Sequence, residues 1–132
     1  MRVTKLEEAE YLLKRSRRFY ETATMQMDRG FHDLAAFSLE QSLLLFLKSS
    51  LLKLGIDFPR THSVRRLLEM QHEITGDERI KEVSHMFNVE LGALEDAYIM
   101  SRYVARDYNR EEVERFKKVV EEVTRVVGEV VG

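Results

Sequence analysis

The 132-residue chain has no cysteine, one proline and six glycines. Without cysteine it can build neither a disulfide framework nor a thiolate zinc site. There is no Gly-rich phosphate loop, dinucleotide fingerprint or Gly-x-Ser-x-Gly elbow, which removes the Walker, Rossmann and serine-hydrolase classes. No apolar run approaches the roughly 20 residues that span a bilayer. The start, Met1–Glu8, lacks an apolar signal core. No repeat, low-complexity stretch or long linker interrupts the chain. These absences leave a single cytoplasmic domain spanning residues 1–132 as the expectation.

Charged residues make up 33% of the chain and hydrophobic ones 44%, enough for a core. The combination of high charge and no cysteine suits a cytosolic protein, and it would suit a thermophile. The net charge is −2 but unevenly placed: residues 1–66 hold 12 Lys and Arg against 8 Asp and Glu, and residues 67–132 hold 9 against 15. That split favours charge-complementary self-association over indiscriminate nucleic-acid coating.

Hydrophobic periodicity predicts five helices and no strand. The first spans about Thr4–Arg29, opened by a Thr4/Glu7 capping box and closed at Gly30, with Leu6, Ala9, Leu13, Phe19 or Tyr20, Ala23 and Met27 inward. The second runs from Phe31 or His32 to Leu54. It is apolar on nearly every side, so it needs cover on more than one, from the bundle and from a second chain. After Pro59, Thr61 or Ser63 caps a short helix from Val64 to about Ile74. Asp77 caps a fourth, about Glu78–Val104, with Ile80, Val83, Phe87, Leu91, Leu94, Tyr98 and Ile99 inward and a bend near Asn88 or Gly92. Asn109 and Glu112 form the capping box of the last, which buries Val113, Phe116, Val119, Val120, Val123 and Val127. The methionines, among them Met25 and Met86, are read as core or interface filler. The expected fold is all-α: an antiparallel, up-and-down bundle of four long helices plus one short helix.

Three segments in order then carry a resemblance. Ala35–Lys48 holds a small-residue, Gln and Lys pattern. Gly55–Leu68 runs from a glycine through Thr61-His62 into a Leu-Leu helix. Asp96–Tyr103 joins an acidic residue, Tyr98 and an Arg-Tyr pair. Together they resemble the HEPN domain family (higher eukaryotes and prokaryotes nucleotide-binding). The resemblance implies a helical bundle that pairs into a symmetric homodimer and associates with a nucleotidyltransferase-fold partner, as in toxin–antitoxin modules. Many members are metal-independent RNases with an Arg-x4–6-His motif, in which His would activate the ribose 2′-hydroxyl and Arg would stabilise the phosphate. In this chain no His follows Arg102 through Asn109, nor Arg106 through Val113. The expectation is therefore a non-catalytic domain that binds a nucleotide or a partner. The alternatives are a metal-independent RNase using Arg102 or Arg106 with His62 or Asp107 as an unusual base, and a purely structural dimer.

Seven residues are candidates for nucleotide or phosphate contact. Arg102 and Arg106, one helical turn apart, can grip phosphate bidentately, with Tyr103 or Tyr108 to stack on a base; the same arginines can instead pair with Glu95, Asp96 or Glu111. Gln41 and Lys48, seven apart, share a face of the apolar second helix. His62 stands at a helix N-terminus, where it can meet a phosphate or fix the loop. His32, His72 and His85 are too scattered to suggest a metal site. No catalytic residue, metal or cofactor is assigned.

Overall fold

A computed structural model describes residues 3–103 and 106–132, and the side chains of residues 3–100 and 106–132. Among these residues the regular structure is all helical, with no strand: α1 (Lys5–Asp28), α2 (His32–Lys53), α3 (Val64–Thr75), α4 (Glu78–Met86), α5 (Asn88–Tyr103) and α6 (Arg110–Val131).

Helix α2 is the axis of the bundle. Leu39, Leu43, Leu47 and Leu51, spaced one turn apart, are fully buried, and Ala35, Ala36, Leu44 and Leu52 extend the buried surface around the helix. By length and composition α2 is apolar enough to cross a membrane, but 72% of that apolar window lies inside the bundle. It is covered by α1, α3, α5 and α6 of the same chain. Much of the cover expected from the bundle or a second chain is thus supplied by four helices of the same copy.

Helix α1 returns antiparallel on α2 through hydroxyl clasps. Ser16 Oγ donates to the Ser42 carbonyl at 2.6 Å, Ser42 Oγ to the Ser16 carbonyl at 2.9 Å, and Ser49 Oγ to the Ala9 carbonyl at 2.7 Å. Small side chains at these points let the two backbones approach. Helix α6 buries all six of its expected residues, from Val113 to Val127. Its valines disfavour an isolated helix, so packing has to hold it.

The caps follow local chemistry. Ser63 Oγ accepts the Arg66 amide at 3.2 Å, and Asp77 accepts that of Arg79 at 2.9 Å. The Asn109/Glu112 capping box is complete. Thr4 accepts the Glu7 amide at 3.1 Å, but its hydroxyl also donates to the Glu7 carboxylate, so the side-chain half of that box is replaced. Gly30, Gly55 and Gly76 end α1, α2 and α3 with φ of 75°, 81° and 66°, a region that side chains bearing a Cβ resist.

Several expectations are corrected. The fourth helix is two helices. At Phe87 the backbone leaves helical geometry (φ −109°, ψ 22°), just before the weak helix former Asn88. The break lets Ile80 and Val83 on one segment and Leu91 and Leu94 on the next each turn inward. Leu6 and Ile99 are exposed rather than inward, as are Met25 and Met86, so those two methionines fill no core of this chain. On α1 the buried positions fall at Leu12 and Ser16 instead of Leu13.

Candidate functional site

A glutamate interrupts the apolar surface of α2. Glu40 lies between Leu39 and the Leu43–Leu44 pair and is fully buried. Its Oε2 accepts a hydrogen bond from Gln41 Nε2 at 2.7 Å, while Oε1 has no hydrogen-bond partner. Burial pushes its carboxyl up to about 7 against the opposing pull of Gln41 and Lys48, and the charge of Glu95 adds to the rise. Lys48, two turns along, is half-buried with its amine 5.1 Å from the Phe58 ring centre. Burial draws the Lys48 amine below its ordinary value, and Glu40 partly offsets this. Sequence reasoning thus placed Gln41 and Lys48 on one face of α2, and the structure adds the buried acid beside them.

Next to this cluster α5 carries Glu95 and Tyr98. The Tyr98 ring stacks on His62 with centroids 3.9 Å apart and planes inclined by 16°, and it faces Phe37 of α2 at 6.2 Å and 24°. Phe37, Tyr98 and His62 form an aromatic ladder, with His62 at its exposed end.

The N-terminus of α3, where His62 was expected to meet a phosphate, is already served by an anion. Glu95 Oε1 accepts from Ser63 Oγ at 2.8 Å and from the Arg65 amide at 3.1 Å, and Glu95 Oε2 accepts from Arg65 Nη2 at 2.9 Å. Burial alone would raise the Glu95 carboxyl, but the hydrogen bonds from Arg65 and Ser63 hold it below the ordinary carboxylate range. The helix cap itself is Ser63, and the His62 ring is the outer member of the stack on Tyr98.

The arginine candidates divide. The side chains of Arg102 and Tyr103 lie outside the described residues. Arg106 lies beyond the end of α5 and is not helical, so the one-turn relation to Arg102 does not apply. Its guanidinium sits over the Tyr108 ring at 4.2 Å and donates to Glu112 at 2.8 Å. Tyr108 is buried edge-on to Phe116 at 5.9 Å, and its hydroxyl has no hydrogen-bond partner. Arg106 and Tyr108 thus belong to the start of α6. Among the described residues no three His, Asp or Glu side chains converge as a metal site would require.

Sequence reasoning missed Glu40, Glu95 and Phe37 as site residues. For Glu40 the signal was available: a carboxylate set among core leucines is costly unless paired, and such groups mark candidate sites. Glu95 gave no such signal, because its role depends on two segments about thirty residues apart meeting at the start of α3.

The fold and this polar interruption define a class: an all-helical bundle whose central helix carries a partly satisfied polar cluster beside an aromatic stack. A profile of the HEPN domain matches residues 9–130, nearly the whole chain, and the chain belongs to the HEPN domain family. Membership goes with a nucleotide-binding or RNase-related function. No curated protein matches the chain at a significant level.

Proposed function

We propose that this protein is a non-catalytic, nucleotide-binding HEPN domain whose ligand meets the α2–α5 face. The observation that carries the reading is the Glu40–Gln41–Lys48 cluster: a buried acid with an unsatisfied oxygen, on the most apolar helix, next to a stack ending in exposed His62. A base can stack on such an aromatic plane, and a lysine can meet a phosphate. The missing His after Arg102 and Arg106 argues against the family's RNase chemistry, as does the commitment of Arg106 to Glu112.

The same reading includes a cytoplasmic homodimer and a nucleotidyltransferase-fold partner in a toxin–antitoxin-type module. Support for association comes from apolar side chains left outside the bundle: Phe31 and Leu34 at the start of α2, and Ile99 beside Tyr98 on α5, are each about half exposed.

Calorimetric titration of the chain with ATP and GTP tests the ligand. Saturable binding that weakens in Lys48→Met and His62→Ala is expected. The absence of heat with either nucleotide, or cleavage of RNA in the presence of chelator, contradicts the reading. Sedimentation velocity at micromolar concentration tests the dimer, and a monomer removes that part. Co-purification with a nucleotidyltransferase-fold protein tests the partner; recovery of the chain alone from its native source counts against it.

A further inference from the structure

Helices α3 and α4 form a short antiparallel hairpin closed by Gly76, and a cleft of about 600 Å³ opens between them. It lies apart from Glu40, Lys48 and Tyr98, none of which lines it. Its floor is apolar, built from fully buried Leu68 and Ile80. Its walls are two helical stripes that carry mainly hydrogen-bond donors.

On α4 the stripe is Lys81, Ser84 and His85, continued by Asn88 at the start of α5. Lys81 and His85 are one turn apart, so both side chains reach the same space. Neither takes part in an ion pair among the described residues, although ten such pairs occur elsewhere. On α3 the stripe is Arg65 and His72. Glu95 engages Arg65 through Nε and Nη2, which leaves Nη1 against the backbone of Gly92 on α5, 3.3 Å from where a Cβ would stand. Any side chain at 92 would displace that guanidinium.

Of the acids nearby, Glu95 holds Arg65, and Glu78 and Glu82 line a neighbouring hollow together with Lys81 and His85. Glu69, the one acid in the lining, pairs with Arg66 at 3.4 Å, and Glu78 pairs with His72 at 3.4 Å. The groups left facing the cleft are an ammonium, an imidazole, a hydroxyl and an amide, over an apolar floor. This combination suits a compact anion with several acceptor oxygens.

We propose that the α3–α4 cleft binds a small phosphate-bearing anion through Lys81, His85, Ser84 and Asn88. This second site is independent of the α2–α5 face. The phosphate can come from free inorganic phosphate or from a nucleotide.

Amide NMR of the full chain tests the proposal, because it reports where a ligand binds. Pyrophosphate and ADP are titrated in parallel. Saturable shifts centred on residues 65–72 and 81–88 are expected with both, and tighter ADP binding would identify the nucleotide as the preferred source. The Lys81→Glu, His85→Gln double variant changes exposed positions only and should weaken pyrophosphate by about tenfold or more. Lys118→Glu, an equal charge change on exposed α6, should leave the affinity unaltered. Shifts confined to α2 and α5, no saturable shift, or equal affinity in the double variant overturns the proposal.

Discussion

Helix α2 buries polar side chains on two faces and treats them in opposite ways. Along the seam with α1, Ser16, Ser42 and Ser49 each donate a hydrogen bond to a backbone carbonyl at 2.9 Å or less, and the seam is closed. Towards α5, Glu40 keeps one oxygen without a partner, and its neighbour Lys48 has its amine drawn down by burial. Glu40 is as fully out of water as the three serines, so burial alone does not separate them; pairing does. Buried polar groups in folded proteins are nearly always paired, and departures cluster where a ligand or reaction completes the set. On the proposed function, the α1 face is the structural side of this helix and the α5 face the one that meets the ligand.

The largest test of that contrast is the pH dependence of stability. The Glu40 carboxyl stands at about 7 in the folded chain against an ordinary value of 4.5. Between these values the unfolded chain has released the proton and the folded chain retains it. The folded state therefore binds more protons, and stability falls as pH rises through the window and levels off above it. The loss attributable to Glu40 is about 3 kcal/mol. In Glu40→Gln this loss should vanish, so urea denaturation should find the variant more stable than the parent at pH 8 and nearly equal to it at pH 4. A variant that is less stable at pH 8 would mean that the Glu40 charge is well paired, and the contrast between the faces would fail.

On the closed face the effect should have the opposite sign and be smaller. Ser42→Ala removes the donor to the buried Ser16 carbonyl, and should cost about 1–2 kcal/mol at any pH. Away from both faces, Asn109→Ala breaks the capping box of α6 and should cost about 1 kcal/mol, read from the same denaturation curves. The smallest effect belongs to the solvent side of α6. Arg125 pairs with Glu122 and Glu129 at 2.9 and 3.3 Å, fully in water, and Arg125→Ala should leave the unfolding midpoint unchanged.

How much of this was legible in the sequence follows from how local each feature is. Helix ends at Gly30, Gly55, Asp77 and Asn109 depend on a few adjacent residues and could be read directly. So could the valine stripe of α6, because its period repeats over about four turns. The break at Phe87 falls beside Asn88, one of the two bend positions that the weak helix formers offered; choosing between them depends on where α3 and α6 allow Ile80 and Leu94 to turn. The cover on α2 was left open for a related reason: an all-round apolar helix signals burial but not how many chains supply it. At the site, Gln41 and Lys48 were legible from spacing. The aromatic ladder was not, because Phe37, His62 and Tyr98 are far apart in sequence and meet only in the bundle.

The most direct test of the α5 face as the functional one is the titration of the Glu40 carboxyl itself, followed by its side-chain carbon-13 resonance with and without ATP. The account predicts a midpoint near 7 in the free chain that moves when ATP is added, because the ligand changes the charge and water around the cluster. A midpoint in the ordinary carboxylate range, or one that ATP leaves unmoved while binding elsewhere, would contradict it.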